Sequence, residues 1–484
     1  MARSPVTRAQ VDAYRFGLRR MDAALVRRDP VPLHEDIRGQ RRTVAAGLVL
    51  AMLGLAVAAV YGLIFPNPDW HKQTVVVGRQ SGALYVVAHG PERLVPVANL
   101  AAARLVLAAI SPDRAESGQV SPSIVEDATL ADAPRTAAAA VPGAAAALPG
   151  AGPGLRPQWA VCDETSADRG RAVALSATTV VAGVAPQGRP IDGDRALLLR
   201  GSAGTAYLVH HGKRQRVELS DRRATAAFDL GGRAPRPAAD RLLDAIPEAT
   251  PLKVPEVAGA GEPVAAGVPG KVGDVVRSAP PGVPARFYVL LAGAVQQVSA
   301  PVAALLQSAN PDASAEPLAV RWDLLSRLPT KAVLDVADYP EGPLRPLEPA
   351  EASTVCLAFA AVDGKQAPEV VVGQAPPTPA DRVPTRLAQA DGPGPRLDAV
   401  YLPPGQGAAV RGVVPGQPAD TGSLWLVSDT GVAYGVPDAE SAAALGITGA
   451  TAAPEVLLRL LPTGEPLSLA AARRTVDVLD PGPG

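Results

Sequence analysis

The sequence predicts an α+β protein: a single N-terminal transmembrane helix, then an exported body of four small repeated α+β modules around a central disulfide-clamped domain. Three observations support this fold class: a long uncharged apolar run, a strand–turn–strand–helix pattern that occurs four times after it, and two cysteines that both follow it. The chain has 46 Gly and 51 Pro, whereas aromatic residues make up only 4%. This composition favours several turn-rich modules over one large core.

The first element is an amphipathic helix. Thr7 and Gln10 have the spacing of a capping box, and the helix is expected to stop before Asp29. Its apolar side chains follow each other at intervals of three and four on one narrow face: Val11, Tyr14, Leu18, Met21 and Leu25. An isolated helix of this length is marginal in water, so it either packs against another protein or lies on the membrane surface. The narrow stripe, with its Tyr and Met, favours a partner-binding helix.

The second element is the apolar run from Val44 to Phe65. Its 22 uncharged residues would span roughly 33 Å as a helix, about the thickness of a bilayer core. Arginines crowd the residues before it, whereas no Lys or Arg follows until Lys72. This asymmetry predicts a single-pass protein of the inner (plasma) membrane, with a cytoplasmic N-terminus and an exported body. A cleaved signal peptide is the alternative, but its apolar core is shorter and begins nearer the N-terminus.

The charge balance excludes a nucleic-acid partner. The whole chain has 46 basic and 47 acidic residues, which provides no positive field for a phosphate backbone. Residues 1–43 differ, because they contain ten Arg and only five acidic residues. This local positive charge suits the anionic inner leaflet of a membrane or an acidic partner.

Four segments of the body share one pattern: a strand around an aromatic residue, a Gly-containing turn, a second strand, a polar cap and an Ala-rich helix. The aromatics are Tyr85, Tyr207, Tyr288 and Trp425, and the caps are Asn99, Ser220, Ser299 and Asp438. An extended segment precedes each hairpin, at 74, 195, 273 and 398, so each unit is expected to hold three strands and one helix. Four unrelated hairpin–helix pieces are the alternative, but the constant order of the parts favours true repeats, and their uneven spacing argues against a solenoid.

Cys162 and Cys356 are the two cysteines of the chain, and both lie in the predicted exported part. In an oxidising compartment the pair predicts one disulfide that clamps two distant segments of a central domain. Two unpaired buried thiols are the alternative. A stretch rich in Ala, Pro and Gly, from Ala131 to Pro157, precedes the first cysteine and is expected to be a linker or strap. The tail after Thr475 is expected to fray.

These features predict a division of the chain in which two separate segments build the central domain. The predicted segments are a cytosolic helix with a basic juxtamembrane stretch (1–43), a transmembrane helix (44–65), repeat module 1 (70–125), a linker and the first part of the central domain (126–185), repeat module 2 (186–250), repeat module 3 (265–325), the second part of the central domain (326–378), repeat module 4 (379–450) and a C-terminal segment and tail (451–484).

The sequence contains no convincing catalytic, cofactor or metal site. A phosphate-binding loop needs a hydroxyl after its Gly-Lys pair, but Arg214, Val272 and Gln366 follow the three Gly-Lys pairs of this chain. His210 and His211 are expected to point to opposite faces of a strand, where they cannot share a metal ion. Neither H-E-x-x-H nor G-x-S-x-G occurs. A glycan-binding wall module is a further alternative, but the repeat aromatics sit in the middle of strands, which favours a core role.

Taken together, the chain resembles the EccB family, the single-pass core component of mycobacterial-type type VII (ESX) secretion systems. The resemblance rests on QVDAYRFGLRRMDAALVRRD before the membrane span, SGALYVVAHGPERLVPVANLAAARLVL after it, and RLLPTGEPLSLAAAR near the C-terminus. The VPGAAAALPG stretch that leads to WAVCD, and Cys356 in a matching context, add to it. It covers essentially the whole chain.

The resemblance implies an inner-membrane assembly with EccC, EccD and EccE, hexameric in the complete machine. It also implies that the N-terminal helix grips cytosolic partners, and that repeat and central domains form the periplasmic body. The expected role is that of a structural, non-enzymatic subunit without a cofactor, with EccC as the cytosolic motor. An ATP-hydrolysing component is the alternative, because EccB proteins are sometimes described as ATPases.

Overall fold

The computed structural model describes residues 7–28, 33–64, 68–111, 120–139, 141, 155–166, 174–185, 187–264, 267–311, 316–362, 365–405, 407–414, 417–418 and 421–474. The chain divides into two compact units, Met1–Lys72 and Gln73–Gly484. The first unit contains α1 (Arg8–Arg27), α2 (Leu33–Ile64) and a short 3-10 turn (Trp70–Lys72).

Both helices of the first unit follow their sequence patterns. Helix α1 begins after Thr7, whose backbone N–H donates to Gln10 Oε1 at 3.1 Å, and it ends at Arg27 as the sequence predicts. Helix α2 begins at Leu33 and so takes in the basic segment before the apolar run. Within it, residues 39–62 are long and apolar enough to cross a membrane. Phe65, the predicted end of the span, lies outside the described residues.

The second unit contains five β-sheets, and its first half runs from module 1 to module 2. Module 1 comprises β1 (Val75–Gly78), β2 (Leu84–Ala88), β3 (Arg93–Val97), α3 (Leu100–Ile110), β4 (Ser123–Val125) and α4 (Asp127–Leu130). The first strands of the central sheet are β5 (Trp159–Ser166), β6 (Ala174–Ala182) and β7 (Arg189–Pro190). Module 2 comprises β8 (Arg195–Arg200), β9 (Ala206–His210), β10 (Lys213–Val217), α5 (Arg222–Ala227), β11 (Arg236–Pro237), α6 (Asp240–Ala245) and β12 (Glu248–Leu252).

The second half of this unit runs from module 3 to the C-terminal segment. Module 3 comprises β13 (Val275–Ser278), β14 (Arg286–Leu291), β15 (Ala294–Val298), α7 (Ala300–Ala309), β16 (Leu318–Ala319) and α8 (Trp322–Leu325). Strand β17 (Arg345–Pro346) pairs with β8, and the central sheet resumes with β18 (Thr354–Val362), β19 (Lys365–Gly373), β20 (Thr385–Arg386) and β21 (Ala399–Tyr401). Module 4 and the C-terminal segment comprise β22 (Ala408–Val413), β23 (Leu424–Val427), β24 (Ala433–Val436), α9 (Ala439–Ala444), β25 (Thr451–Pro454), α10 (Glu455–Leu458) and α11 (Leu469–Ala472).

All four modules share one sheet topology. Three antiparallel strands are followed by a helix and by a fourth strand that pairs in parallel with the first. A short helix then returns the chain alongside the third strand, where the parallel partners are β12, Arg135, Thr330 and Thr463. The sequence pattern predicts only three strands and one helix, because a fourth strand of two to four residues is too short to show a period.

The predicted first strand of module 4 is wrong. The segment at 398 joins the central sheet instead, where Ala399–Tyr401 pairs in parallel with β6. The actual first strand, Ala408–Val413, is rich in Ala and contains Gly and Arg, which gives it a weaker β-propensity than the Val- and Tyr-containing segment before it. Local β-propensity therefore favours Ala399–Tyr401 over Ala408–Val413 as the first strand of module 4. In the structure Ala399–Tyr401 is a strand of the central sheet.

Three of the four predicted helix caps are confirmed. Asn99, Ser299 and Asp438 each accept a hydrogen bond from a backbone N–H in the first turn of their helix. In module 2 the cap is Asp221 rather than Ser220, and its carboxylate accepts from two backbone N–H groups. A carboxylate at this position also interacts favourably with the positive end of the helix.

The modules pack in pairs through their helices. Helix α3 of module 1 contacts α9 and α11, so modules 1 and 4 share one hydrophobic core. Helix α5 of module 2 contacts α7 of module 3, and these modules share a second core. The seven-stranded central sheet forms a third core with modules 2 and 4. The chain therefore repeats one order twice: module 1, the β5–β6 hairpin and module 2, then module 3, the β18–β19 hairpin and module 4. Strands β5 and β18 pair in the middle of the central sheet.

The predicted linker is described only at its two ends. At the first end, Arg135 pairs with Leu94, and the Ala139 N–H donates to the Pro96 carbonyl at 3.1 Å. This part of the linker therefore runs along the third strand of module 1. At the other end Leu155 is buried in the core of the central sheet. The tail after Thr475 lies outside the described residues.

Candidate functional site

The predicted partner-binding face of α1 is exposed along its length. Tyr14, Met21 and Leu25 have 70%, 58% and 81% of their surface accessible, and Val11 and Leu18 are exposed as well. These five side chains lie on one face because they follow the helical repeat. An apolar stripe that none of the described residues covers has the character of a helix-packing surface.

The same helix exposes two apolar residues that the sequence pattern does not assign to the stripe. Phe16 is 47% and Val26 is 83% accessible. Phe16 lies two residues from Tyr14 and two from Leu18, which places it on the opposite side of an α-helix. A search for apolar residues spaced three and four apart identifies one face of the helix. A single apolar residue on the opposite face, such as Phe16, forms no such pattern and is therefore missed.

The predicted disulfide is present at the centre of the seven-stranded sheet. Cys162 and Cys356 lie directly opposite each other on the antiparallel strands β5 and β18, and their sulfurs are bonded. Both residues are buried and pack with Ala160, Ala358 and Val371. The bond joins two strands that lie 194 residues apart in the sequence, so it connects the two halves of the second unit.

Beside the disulfide lies a buried ion pair that the sequence analysis misses. Asp163 follows Cys162 on β5, and its Oδ1 lies 2.7 Å from Nη1 of Arg236 on β11. The two side chains are 0% and 2% exposed, respectively. The only local signal was a carboxylate at the end of the buried run WAVCD, because Arg236 stands in a Pro-rich segment that reads as a loop.

Arg236 connects module 2 to both halves of the central sheet. Its Nε donates to the Ala352 carbonyl at 2.5 Å, and its Nη2 donates to the Ser353 carbonyl at 3.1 Å. The second carboxylate oxygen of Asp163 accepts from the Ala239 N–H at 2.9 Å. Burial raises the pKa of Asp163, while Arg236 and the Ala239 N–H favour its ionised form. A buried ion pair whose two side chains also bond to the main chain of three segments fixes the relative position of the elements that it joins.

The Gly-Lys pairs are turns in the structure. His211 and Gly212 have φ values of 47° and 70° and form the two-residue turn of the β9–β10 hairpin. Lys213 Nζ lies 2.5 Å from Asp338 Oδ1 and is therefore occupied by a carboxylate. The Lys271 N–H donates to Asp274 Oδ2 at 2.7 Å. In the third pair Gly364 lies outside the described residues, and Lys365 begins β19.

His210 and two of the repeat aromatics contact other side chains of the described part of the chain. His210 ends strand β9 and is buried, with Nε2 2.6 Å from Gln215 Oε1, and burial lowers its pKa. His211 is in the turn rather than on the strand, which corrects the sequence prediction. Tyr85 and Tyr207 are covered by Arg135 and Arg214, respectively. Among the described residues, no group of three His, Cys, Asp or Glu side chains is placed to hold a metal ion.

Comparison with known proteins gives consistent matches along the chain. Residues 3–481 match the family described as Type VII secretion system ESX-1, transport TM domain B. The ESX-5 secretion system ATPase EccB5 of Mycobacterium tuberculosis is 32% identical, over 98% of this chain and 94% of that protein. The ESX-1 secretion system ATPase EccB1 of Mycolicibacterium smegmatis is 30% identical, over 99% of this chain and 97% of that protein.

Solved structures share the fold as well as the sequence. A chain of an intact ESX-5 inner membrane complex superposes with a TM-score of 0.69 at 31% identity, covering 100% of this chain and 98% of that one. A chain of the EccB3 dimer from the ESX-3 core complex gives a TM-score of 0.68 at 29% identity, covering 83% of this chain and 99% of that one. The family match, the relatives and the shared fold agree, and the chain belongs to the EccB family of type VII (ESX) secretion membrane components.

Proposed function

We propose that this protein is a structural subunit of a type VII secretion complex in the inner membrane. In this role α2 anchors a periplasmic scaffold of modules, and α1 contacts cytosolic and membrane partners. The exposed apolar stripe of α1, next to a helix able to span a membrane, is the observation that carries the proposal. Its solved neighbours support it, since they come from an ESX-5 inner membrane complex and from an EccB3 dimer.

The partners that we propose are EccC, EccD, EccE and further copies of this chain, with six copies in the complete complex. The role of α1 depends on desolvation, because the stripe stabilises a complex only if a partner removes it from water. Arginines on the rest of the helix, such as Arg15 and Arg19, keep that surface polar. A helix of this kind can dock along one seam while its other faces stay solvated.

Leu18→Asp combined with Met21→Asp is expected to release the partners from the complex. Each new carboxylate would lie in an apolar seam, where leaving a charge unpaired costs a few kcal/mol. The protein should still insert into the membrane, because α2 is unchanged. The measurement is the mass of the complex recovered by gentle detergent extraction. Ala13→Asp, off the stripe on the same helix, is the matched control and should leave the complex intact.

If the double variant recovers the full complex, α1 is a membrane-surface element and not an assembly contact. If Ala13→Asp releases the partners to the same extent, the loss reflects weaker helix formation and not the seam. If the double variant releases the partners and Ala13→Asp does not, the result supports the apolar stripe of α1 as the partner-binding face.

The membrane topology that we propose places the N-terminus in the cytoplasm and the modules outside. The charge bias around α2 supports this orientation, because Arg41 and Arg42 precede the apolar run and no Lys or Arg follows it until Lys72. A reporter that is active only in the cytoplasm should work at position 30, and one that is active only outside should work at position 480. The reverse pattern would contradict the proposed topology.

We also propose that the chain hydrolyses no nucleotide, although the names of its EccB5 and EccB1 relatives contain the word ATPase. Both described Gly-Lys turns lack a hydroxyl after the lysine, and Lys213 is paired with Asp338. The purified full chain, assayed with ATP and Mg²⁺, should show only background turnover. Lys213→Ala and Lys271→Ala should give the same background. Turnover that disappears in one of these variants would identify a binding site and contradict the proposal.

A further inference from the structure

Modules 2 and 4 contain the same surface cleft at the same place. In module 4 it has a volume of about 510 Å³ and lies between the β22–β23 end of the sheet, helix α9 and the following loop. In module 2 the cleft has a volume of about 260 Å³ and lies at the corresponding ends of β8, β9 and β10. These clefts lie in the modules, so an inference drawn from them does not depend on the proposed roles of α1 and α2.

Strand pairing establishes the correspondence residue by residue. Arg200 follows the residue that pairs with Tyr207, and Arg411 follows the residue that pairs with Trp425. The residue after each arginine, Gly201 or Gly412, is a glycine whose N–H donates at 3.0 Å, to the carbonyl of Thr205 in module 2 and of Ser423 in module 4. Each cleft is therefore lined by an arginine and a hydroxyl residue in equivalent positions.

The arginine of the module 4 cleft has donors to spare. Arg411 Nη1 donates to the Gly422 carbonyl at 3.1 Å, and no carboxylate pairs with this guanidinium among the described residues. Asp438 also lines the cleft, but its carboxylate caps α9 by accepting from the Ser441 N–H at 2.7 Å. An arginine has five N–H donors in a planar fork, so most of its donors remain available to a ligand.

Apolar side chains line one part of the module 4 cleft, and polar side chains and backbone line the remainder. Leu424, Val436, Ala442 and Ile447 line the apolar part, and Val436 and Ala442 are buried. The module 2 cleft differs, because it contains Arg216 and Glu218 and is smaller. A volume of about 510 Å³ falls within the range of small-molecule and peptide side-chain sites, whereas about 260 Å³ is below it.

We propose that the module 4 cleft binds a peptide carboxylate that is adjacent to an apolar side chain. Arg411 would hold the carboxylate through two parallel N–H···O bonds, Ser423 would donate a third, and Leu424 and Ile447 would contact the apolar group. The carboxylate can be a peptide C-terminus or the side chain of Asp or Glu. The module 2 cleft holds Arg200 and Thr205 at the equivalent positions, but its volume is below the range of such sites, so the proposal concerns module 4 alone.

The test is a calorimetric titration of the full chain in detergent micelles with three acetylated dipeptides. They are acetyl-Leu-Ala with a free C-terminus, acetyl-Leu-Ala-amide, and acetyl-Leu-Glu-amide. The free acid or the glutamate peptide should bind about tenfold or more tightly than the neutral amide, because a charge-assisted bidentate contact is lost in the amide. The tighter of the two identifies the source of the carboxylate.

Arg411→Gln should remove the preference for the carboxylate, while Arg459→Gln should keep it. Arg459 is an exposed arginine of the same module that pairs with Glu455 and does not line the cleft. Equal binding of acid and amide, an unchanged preference in Arg411→Gln, or no saturable binding of either carboxylate at millimolar concentration would each overturn the proposal. Circular dichroism of both variants should match the wild type, since Arg411 makes one hydrogen bond to the main chain among the described residues and Arg459 is exposed.

Discussion

Arg236→Met is expected to destabilise the second unit, Gln73–Gly484, by about 3–5 kcal/mol, because it leaves the buried Asp163 carboxylate without its partner. It also removes the donors to the Ala352 and Ser353 carbonyls, which lie next to the start of β18. Unpaired polar groups in a buried site lose the solvation that they have in the unfolded chain. The measurement is the free energy of unfolding of the full chain in detergent, from urea titrations followed by near-ultraviolet circular dichroism.

This destabilisation should depend on pH. Burial already raises the pKa of Asp163, and Arg236 opposes that effect, so the variant should raise this pKa further. A carboxyl with a raised pKa in the folded state is tolerated below its unfolded pKa of about 3.9 and costs stability as the pH rises. The gap between variant and wild type should therefore be widest near neutral pH and shrink toward about pH 4. A gap that stays constant would mean that the carboxylate is not its source.

The second half of the body supplies the control. In module 4 the position equivalent to Arg236 is Thr451, since these residues pair with Leu199 and Val410 in matching registers. The residue after Cys356 is Leu357, where the first half has Asp163. The double variant Asp163→Leu/Arg236→Met removes both charges, as in the counterpart with Leu357 and Thr451, and it should recover most of the lost stability. Equal losses in the single and double variants would show that packing, and not the stranded charge, is responsible.

The sequence predicts the elements that depend on local pattern. The stripe of α1, the apolar run of α2, three helix caps and the four hairpins all follow from residue type and spacing within a short window. The disulfide follows from a count, because only two cysteines occur in the predicted exported part. Each of these features depends on residues that are close in the sequence or, for the disulfide, on the fact that the chain has only two cysteines to pair.

The features that sequence analysis misses are set by distant contacts. Three strands consist of an Arg-Pro pair, Arg189–Pro190, Arg236–Pro237 and Arg345–Pro346, and such pairs read as loop until a neighbouring strand is present. The burial of Arg236 depends on carbonyls more than a hundred residues away. The correspondence between the clefts of modules 2 and 4 is found only by aligning the repeats through their strand registers, since their loops differ in length.

The Cys162–Cys356 disulfide is expected to contribute up to about 5 kcal/mol to stability, since it closes a loop of 194 residues. Its effect comes mainly from the unfolded chain, whose freedom it restricts. In the folded protein the strands β5 and β18 are already paired along six positions, so the sheet geometry does not require the bond. The bond should therefore matter more for stability than for shape.

Cys162→Ala/Cys356→Ala should lower the free energy of unfolding by about 2–5 kcal/mol, because the unfolded chain regains the freedom of the open loop. The near-ultraviolet spectrum of the folded protein should stay close to that of the wild type, since β5 and β18 remain hydrogen-bonded. Adding a reductant to the wild type should produce a loss of similar size, and adding it to the double variant should produce none, which separates the bond from the alanine cavity. If full reduction leaves the free energy of unfolding of the wild type unchanged, the disulfide does not stabilise the protein by restricting the unfolded chain.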